Sequence, residues 1–285
     1  WQAVNILIFD PIGGASGDMI LGSLVHLGCP PEYLIETWDS LKLSKGSTKE
    51  LLKISEKRIN GIVVADLRFY LQEDTHHAHD DQIPGNGHFR THEEIRQLIH
   101  DSSVPERIQT NALKIFGHIA QAEATVHGVA TKDVHFHEIG AVDSILDIVG
   151  IAAALEWFKI RMSFYRPLPL GNGLTKSMHG NIPVPAPATM NLLEGVRVRF
   201  TGVKGELTTP TGAGVIRAMA EPLIPDLEME VLGEGYGCGD HEYDGWPNMF
   251  RSILCRMNAE QEKECEENPI QKKSKEHRHE RKRDI

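Results

Sequence analysis

The sequence predicts a mixed α/β fold, an α+β domain that begins with a glycine-rich strand-turn-helix. Strand-like and helical apolar patterns alternate along the chain, with prolines and glycines where they join. The first apolar run, Val4 to Phe9, predicts a buried strand, and apolar residues at helical spacing follow from Met19. With 40% hydrophobic residues among 285, the chain has enough apolar surface for a substantial core. We therefore expect one ordered domain over residues 1–257.

Composition argues against several classes of function. A formal charge of −10 makes nucleic acid an unlikely partner, because phosphate binding needs clustered excess lysine and arginine. No apolar run approaches the roughly 20 residues of a membrane span, and the N-terminal residues do not resemble a signal peptide. Four scattered cysteines without a CxxC pair are typical of free thiols in a reducing cytoplasm. Residues 258–285 fall into blocks of like charge and predict a disordered tail.

The turn after the first strand holds the first candidate site, Pro11-Ile-Gly-Gly-Ala-Ser-Gly-Asp18. Backbone N–H groups of such a turn can point at an anion from a helix N-terminus, so Gly14 and Gly17 are candidates for phosphate binding. Asp10 at the strand end and Asp18 at the helix start are candidates for metal or phosphate chemistry. Alternatively, Asp18 only caps the helix and the glycines only make a tight turn. No Gly-Lys-Ser/Thr follows, so this turn is not a Walker A loop.

A corner rich in histidine and acid ends a later predicted strand and begins the next helix. On the strand, alternation puts His135 and His137 on one face. On the helix, Asp143 and Asp147 are four residues apart and lie one turn from each other. Together with Glu138, they offer two imidazoles and up to three carboxylates, a set that suits a borderline divalent metal ion. The alternative is an ordinary helix cap beside a surface His–Glu pair.

Residues 73–90 form a His/Asp-rich segment for which no packed element is predicted. His76, His77 and His79 lie among aspartates there, which indicates a flexible loop that gathers metal ions by chelation. We interpret it as a weak, exchangeable loading site and not as the catalytic centre. A solvated polar loop without a function is the alternative.

Two further segments precede predicted helices. Alternating prolines after His179 predict a stiff, polyproline-like stretch that would hold this histidine in place, either as the wall of a site or as a plain linker. Glu206, Thr208 and Thr209 lie in a second segment, where hydroxyls and backbone N–H groups entering a helix suit a phosphate or carboxylate. Glu206 is a possible acid, base or ligand. Thr-Pro-Thr-Gly is also ordinary turn chemistry.

Four of these motifs, in the same order, resemble the signatures of the LarC family of nickel insertion proteins. They are D-P-x-x-G-x-x-G-D-M from Asp10, VHFHEIGAVDSILDIVG from Val134, H-G-x-x-P-V-P-A-P-A-T from His179, and E-L-T-T-P-T-G-A from Glu206. The resemblance implies a cytoplasmic enzyme, a nickel chelatase of the lyase class. It implies insertion of Ni²⁺ into a dithiolated pyridinium mononucleotide, which forms the carbon–nickel bond of the nickel-pincer cofactor of lactate racemase. It also implies use of CTP with a divalent metal.

The chemistry of this implied reaction leads us to assign roles to the candidate residues. We expect metal ligands at His135, His137 and Glu138, supporting ligands or a base at Asp10, Asp18 and Asp143, and substrate contacts at Glu206, Thr208 and Thr209. Family members continue into a second half that opens with an N-x-D-D-M motif and carries the CTP site, and this sequence has no such motif. We therefore expect a separate second-half polypeptide as the partner, lactate racemase apoprotein as an indirect one, and neither a CTP site nor turnover in this chain alone.

Two other functions are left open by the residues. One is a nickel carrier or storage protein without catalysis, which would use the histidines of the 73–90 segment and of the corner. The other is a metal-dependent phosphohydrolase, which the Asp10 strand end and the glycine-rich turn would fit.

Overall fold

The computed structural model describes residues 3–43, 47–70, 90–136, 142–178, 180–258, 261–263 and 265. Within these ranges, ten strands and seven α-helices intermix along the chain, which confirms the predicted α/β class. The strands are β1 (Val4–Asp10), β2 (Leu52–Ile59), β3 (Ile62–Phe69), β4 (Ile160–Tyr165), β5 (Leu168–Ser177), β6 (Gly180–Val184), β7 (Val198–Lys204), β8 (Glu221–Pro222), β9 (Glu230–Cys238) and β10 (Met249–Met257). The helices are α1 (Gly17–His26), α2 (Pro31–Asp39), α3 (His92–His100), α4 (Glu106–His127), α5 (Val142–Trp157), α6 (Pro187–Leu192) and α7 (Pro210–Met219).

The main sheet has seven strands in the order β2-β3-β9-β10-β1-β4-β8. The predicted N-terminal strand, β1, lies inside it, antiparallel to β10 and parallel to β4. Because side chains alternate along a strand, Leu7 and Phe9 pack on one face of the sheet, whereas Ile6 and Ile8 pack on the other. Both faces are buried at this strand, which explains its uninterrupted apolar sequence.

The helices form a layer on one face of the main sheet. Helix α1 lies against β3, β9 and β10, and α5 packs on α1, α2 and α4. Helix α5 is apolar on nearly all sides and is correspondingly buried from Ile145 to Leu155 apart from Asp147. The indole N–H of Trp38 donates to the carbonyl of Leu146 at 2.9 Å and ties α2 to this helix. The main hydrophobic core therefore lies within the helical layer and between it and the sheet.

Two glycines of β9 allow α1 to lie unusually close to the sheet. A Cβ added to Gly235 would lie 2.2 Å from the carbonyl oxygen of Ser23, and one added to Gly237 would lie 2.1 Å from that of Met19. Any other residue at these positions would push the helix away from the strand. The glycines of β9 thus determine how close α1 lies to the sheet. They thereby also determine the position of Asp18, which lies in the first turn of α1.

The structure differs from the sequence-based expectations at two places. The proline-rich stretch that was expected to be polyproline-like contains β6, which pairs with β5 at the edge of a three-stranded sheet ordered β6-β5-β7. Pro183 fits there because an edge strand tolerates a residue without an N–H. The strand expected before the histidine corner is reduced, among the described residues, to a single bridge between His135 and Thr91.

Several predictions fall outside the described residues. They concern most of the 73–90 segment and most of the tail, so the division into a domain 1–257 and a tail 258–285 stays a prediction. Of the helices in the described ranges, none combines the length and the hydropathy that crossing a membrane requires.

Candidate functional site

A cavity of about 470 Å³ opens where the N-termini of α1, α5 and α7 meet the end of β3. Its described lining has five carboxyl side chains and a single arginine, with no lysine. The carboxyl groups belong to Asp18, Asp143, Asp147, Glu206 and Asp240. Three helix N-termini help to stabilise negative charge at this point, because each carries a partial positive charge. The cavity is nevertheless strongly acidic.

The deepest of these carboxyl groups are those of Asp18 and Asp147. The Ser16 hydroxyl donates to Asp18 Oδ1. Burial is the main reason that the pKa of Asp18 is raised, and the charge of Asp240 raises it further. Burial also raises the pKa of Asp147 well above its usual range, and the charges of Asp18, Asp143 and Asp240 act in the same direction. Both side chains therefore hold a proton more firmly than an ordinary aspartate does.

One carboxyl oxygen of Asp147 lacks a hydrogen-bond partner among the described residues. The residue is partly exposed to the cavity, but its Oδ1 atom is shielded from solvent and accepts no hydrogen bond from any described residue. Gly17 makes the approach of this carboxyl possible, because a Cβ at Gly17 would lie 2.5 Å from Asp147 Oδ2. A cation or a proton entering the cavity would relieve both the repulsion and the unsatisfied oxygen. Within the described ranges, however, no three His, Cys, Asp or Glu side chains are already grouped to hold a metal ion.

Arg68 is a cavity residue that the sequence interpretation did not single out. Its Nε donates to both carboxylate oxygens of Asp66, at 3.0 and 3.2 Å, and its Nη2 lies 2.7 Å from Asp240 Oδ1. Asp66 is buried and also accepts from Lys57 Nζ at 3.0 Å. The available signal was the alternation of Asp66 and Arg68, since a buried acid needs a basic partner, but the sequence from Val63 to Leu71 was ambiguous between a strand and a short helix. Nothing in the local pattern around Asp240 or Asn248 indicated their place in this site.

In the predicted substrate segment 206–209, some residues line the cavity and others make structural contacts. Glu206 and Thr209 line the cavity. Thr209 also caps α7, because its Oγ1 accepts the N–H of Gly212 at 3.2 Å. Thr208 is buried, donates its hydroxyl to the carbonyl of Pro169 at 2.7 Å, and does not line the cavity. Glu206 and Thr209 are therefore the members of this segment that a ligand in the cavity can reach.

Asp10 is placed in an ion pair instead of the cavity. Its Oδ2 accepts from Arg251 Nη2 at 2.6 Å and from Arg251 Nε at 3.0 Å, and Arg166 Nε lies 4.0 Å from Oδ1. Asp10 is buried and does not line the cavity. These contacts give it a structural role at the end of β1, where it joins β1 to β10.

The glycine-rich turn makes its contacts mainly with the protein itself. The N–H of Gly13 donates to Met249 O at 2.9 Å, and that of Ala15 donates to Leu207 O at 2.8 Å. A Cβ at Gly14 would lie 2.5 Å from the side-chain oxygen of Asn248. These contacts favour the tight-turn interpretation, while the anion-binding role of Gly14 and Gly17 stays a prediction.

The structure describes only part of the histidine corner. His135 is exposed between the buried residues Val134 and Phe136, and it does not line the cavity. The remaining predicted ligands and the predicted histidine of the proline-rich segment lie outside the described residues; they are His137, Glu138, His76, His77, His79 and His179. Of the first helical turn after this corner, Asp143 and Ser144 line the cavity.

Comparison with known proteins identifies the family. The nickel insertion protein family matches residues 7–279. A putative nickel insertion protein of Geotalea uraniireducens is 37% identical over 256 residues, which are 90% of this chain and 62% of the relative. A relative from Staphylococcus saprophyticus is 39% identical over 249 residues, 87% of this chain and 59% of its own, and is named pyridinium-3,5-bisthiocarboxylic acid mononucleotide nickel insertion protein. A relative of the same name from Akkermansia muciniphila is 38% identical over 262 residues, which cover 90% and 62% of the two chains.

No solved structure matches the chain. The chain spans about three fifths of the length of the curated relatives it matches. The family match covers nearly the whole sequence, and it includes all the described residues that line the cavity. The chain therefore belongs to the nickel insertion protein family.

Proposed function

We propose that this chain inserts Ni²⁺ into pyridinium-3,5-bisthiocarboxylic acid mononucleotide and so forms the nickel-pincer cofactor of lactate racemase. We place the reaction in the cytoplasm, with a separate second-half polypeptide that supplies the CTP and divalent metal site. The observation that carries this proposal is the Asp147 carboxyl, whose shielded Oδ1 has no hydrogen-bond donor among the described residues and whose pKa is raised by burial and by the charges of neighbouring carboxyl groups. Such a cluster attracts a divalent cation, and Ni²⁺ is the cation named by the relatives.

The oxygen donors of the cavity suit a metal ion that is bound only until it is transferred to the substrate. Asp18 and Asp147 offer carboxylate oxygens, which are hard donors and hold Ni²⁺ less firmly than sulfur does. The thiocarboxylate groups of the mononucleotide supply soft sulfur donors. An ion that enters on the oxygens therefore passes readily to the sulfurs of a bound substrate.

Formation of a carbon–nickel bond also displaces a proton from the pyridinium ring. A carboxylate that lies within hydrogen-bond reach of the ring carbon can accept this proton. We assign this role to Glu206, which lines the cavity from the segment before α7. Thr209 beside it would contact the substrate.

We propose a role in delivery of the ion for the predicted ligands of the histidine corner. His135, His137 and Glu138 precede α5, whose first turn carries Asp143 into the cavity lining. We propose that they receive the ion before the carboxyl groups do, and that His76, His77 and His79 load it. The roles of Gly14, Gly17 and His179 at the substrate stay predictions.

The test combines the purified chain with Ni²⁺, the mononucleotide, CTP and the second-half polypeptide, and measures nickel transferred to the mononucleotide. We expect Asp147→Asn to reduce transfer at least about tenfold, as the loss of a group that orients or binds a metal does. Asp226→Asn is the matched control, because Asp226 is exposed and does not line the cavity. Full transfer by Asp147→Asn would contradict the proposal.

A second pair of variants separates insertion from storage. If removal of His76, His77 and His79 abolishes nickel binding while His135→Ala/His137→Ala changes neither binding nor transfer, the chain is a carrier. Insertion predicts the opposite, with transfer lost in the second variant and retained in the first at saturating Ni²⁺.

A further inference from the structure

Arg68 is the single lysine or arginine among the described residues that line the acidic cavity. The substrate of the proposed function carries a phosphate, which five surrounding carboxyl groups would repel. A fixed cation that compensates its charge favours the entry of a phosphate into such a cavity. The position of Arg68 at the end of β3 therefore indicates where the anionic end of a mononucleotide can lie.

Several backbone donors of the two segments predicted to bind phosphate are already engaged. In the glycine-rich turn, the N–H groups of Gly13 and Ala15 donate to carbonyl oxygens at 2.9 and 2.8 Å. At the start of α7, the N–H of Thr209 donates to Ala15 O at 3.0 Å, and its hydroxyl oxygen is occupied by the N–H of Gly212. A phosphate that used these particular N–H groups would first have to break these contacts.

The guanidinium of Arg68 is held in place by Asp66, which contacts its Nε edge. Its Nε contacts both oxygens of Asp66, a buried carboxylate that Lys57 also contacts. Arg68 keeps its outer Nη2 for a contact with the cavity side, where Asp240 Oδ1 lies 2.7 Å away. A planar guanidinium anchored at one edge is suited to bind an oxyanion at the other without losing much side-chain entropy.

Asp240 occupies the outer edge of Arg68 as a replaceable anion. Its side chain is 63% exposed, compared with 6% for Asp66, and it follows Gly239 after the end of β9. Its charge acts unfavourably on Asp18 and Asp147. Movement of this carboxylate into solvent therefore costs little and relieves the two buried carboxyl groups.

We infer that Arg68 binds the phosphate of the mononucleotide, and that this phosphate displaces the Asp240 carboxylate from the guanidinium. The inference rests on the proposed function for the identity of the substrate. It makes Arg68 the residue that distinguishes the mononucleotide from its dephosphorylated nucleoside. It also gives the cavity two ends, an anion-binding end at β3 and a cation-binding end at α1 and α5.

The test measures binding of the bisthiocarboxylate mononucleotide and of its dephosphorylated nucleoside to the full chain by calorimetry, without nickel. We expect Arg68→Gln to weaken binding of the mononucleotide about tenfold to a hundredfold, the effect of losing a charged hydrogen-bond pair, and to leave nucleoside binding unchanged. Asp240→Asn removes the competing anion and should tighten mononucleotide binding. Lys57→Gln is the matched control, because Lys57 contacts the same Asp66 but does not line the cavity.

Equal weakening of both ligands by Arg68→Gln, or no weakening, overturns the inference, as does wild-type chain that binds no mononucleotide. If Arg68→Gln does not fold, the Asp240→Asn variant decides, and unchanged affinity there counts against it. Failure of the proposed function looks different. In that case wild-type chain and second half transfer no nickel, while the phosphate-dependent difference at Arg68 persists.

Discussion

Replacement of Asp147 by asparagine should make the protein more stable while it removes the function. The substitution keeps the shape of the side chain and takes away its charge. In the folded protein that charge is partly desolvated, its Oδ1 has no donor among the described residues, and Asp18, Asp143 and Asp240 repel it. The unfolded chain has none of these costs. Asp147→Asn therefore stabilises the folded state relative to the unfolded one.

The size of the effect follows from the cost of a buried polar group without a partner. Such a group costs about 1–3 kcal/mol, and a charged group costs more. An amide still has an oxygen to satisfy, so we expect Asp147→Asn to raise the free energy of unfolding by about 1–3 kcal/mol near neutral pH. Asp143→Asn, one turn earlier on α5, should have a smaller effect, because the repulsion of Asp147 that it relieves is offset by the loss of a favourable charge. Asp143 is exposed in the first helical turn, where its negative charge is favourable.

The pH dependence has a definite sign. Because the pKa of Asp147 is raised in the folded protein above its ordinary value of 3.8, the folded state holds the proton to a higher pH than the unfolded chain does. The free energy of unfolding therefore falls as pH rises from the ordinary value through the raised one. Asp18 contributes a decrease of the same sign. Below the ordinary value the destabilising effect disappears, so wild type and Asp147→Asn should converge there.

Urea denaturation of both proteins, at about pH 4 and about pH 8, measures this difference. We expect the stability gap between Asp147→Asn and wild type to open as pH rises. A gap that is constant with pH, or a variant that is less stable than wild type at pH 8, would refute the reasoning about the carboxyl cluster.

Two further substitutions test other parts of the site. Gly17→Ala should lower the free energy of unfolding by about 1–3 kcal/mol in urea denaturation, because the new methyl group would lie 2.5 Å from Asp147 Oδ2. Gly117→Ala in α4 is the control. No atom lies within 4 Å of a Cβ added there, so this substitution should be neutral or stabilising. If both behave alike, the contact at Gly17 does not matter. Asp10→Asn should lower stability by about 1.5–3 kcal/mol through loss of the charged contact with Arg251 and leave nickel binding, measured by equilibrium dialysis, intact. Loss of nickel binding in Asp10→Asn would show that Asp10 contributes to the metal site.

Local patterns were sufficient to predict the elements that build the site. The strand-turn-helix at the N-terminus and the helix that carries Asp143 and Asp147 were both predicted, because apolar periodicity depends only on neighbouring residues. The four-residue spacing placed these two carboxyl groups on one face, and both line the cavity.

Partners on distant elements could not be predicted in this way. Arg68 meets Asp240 because β3 and β9 are neighbours in the sheet, although 171 positions separate the two residues. Asp10 lies beside a turn that resembles a binding loop, and only the order of strands reveals that Arg251 satisfies it from β10. Strand order depends on tertiary packing, which a single sequence does not display.

The glycines of β9 make the cavity sensitive to substitutions in a strand whose own side chains do not line it. A methyl group at Gly235 or Gly237 would lift α1 and carry the Asp18 carboxylate with it. A screen for inactive variants should therefore return substitutions at these two glycines beside those at acidic residues. Such variants would retain every donor atom and fail through misalignment, and because the clash is with the backbone of α1, shortening a side chain of that helix should not rescue them.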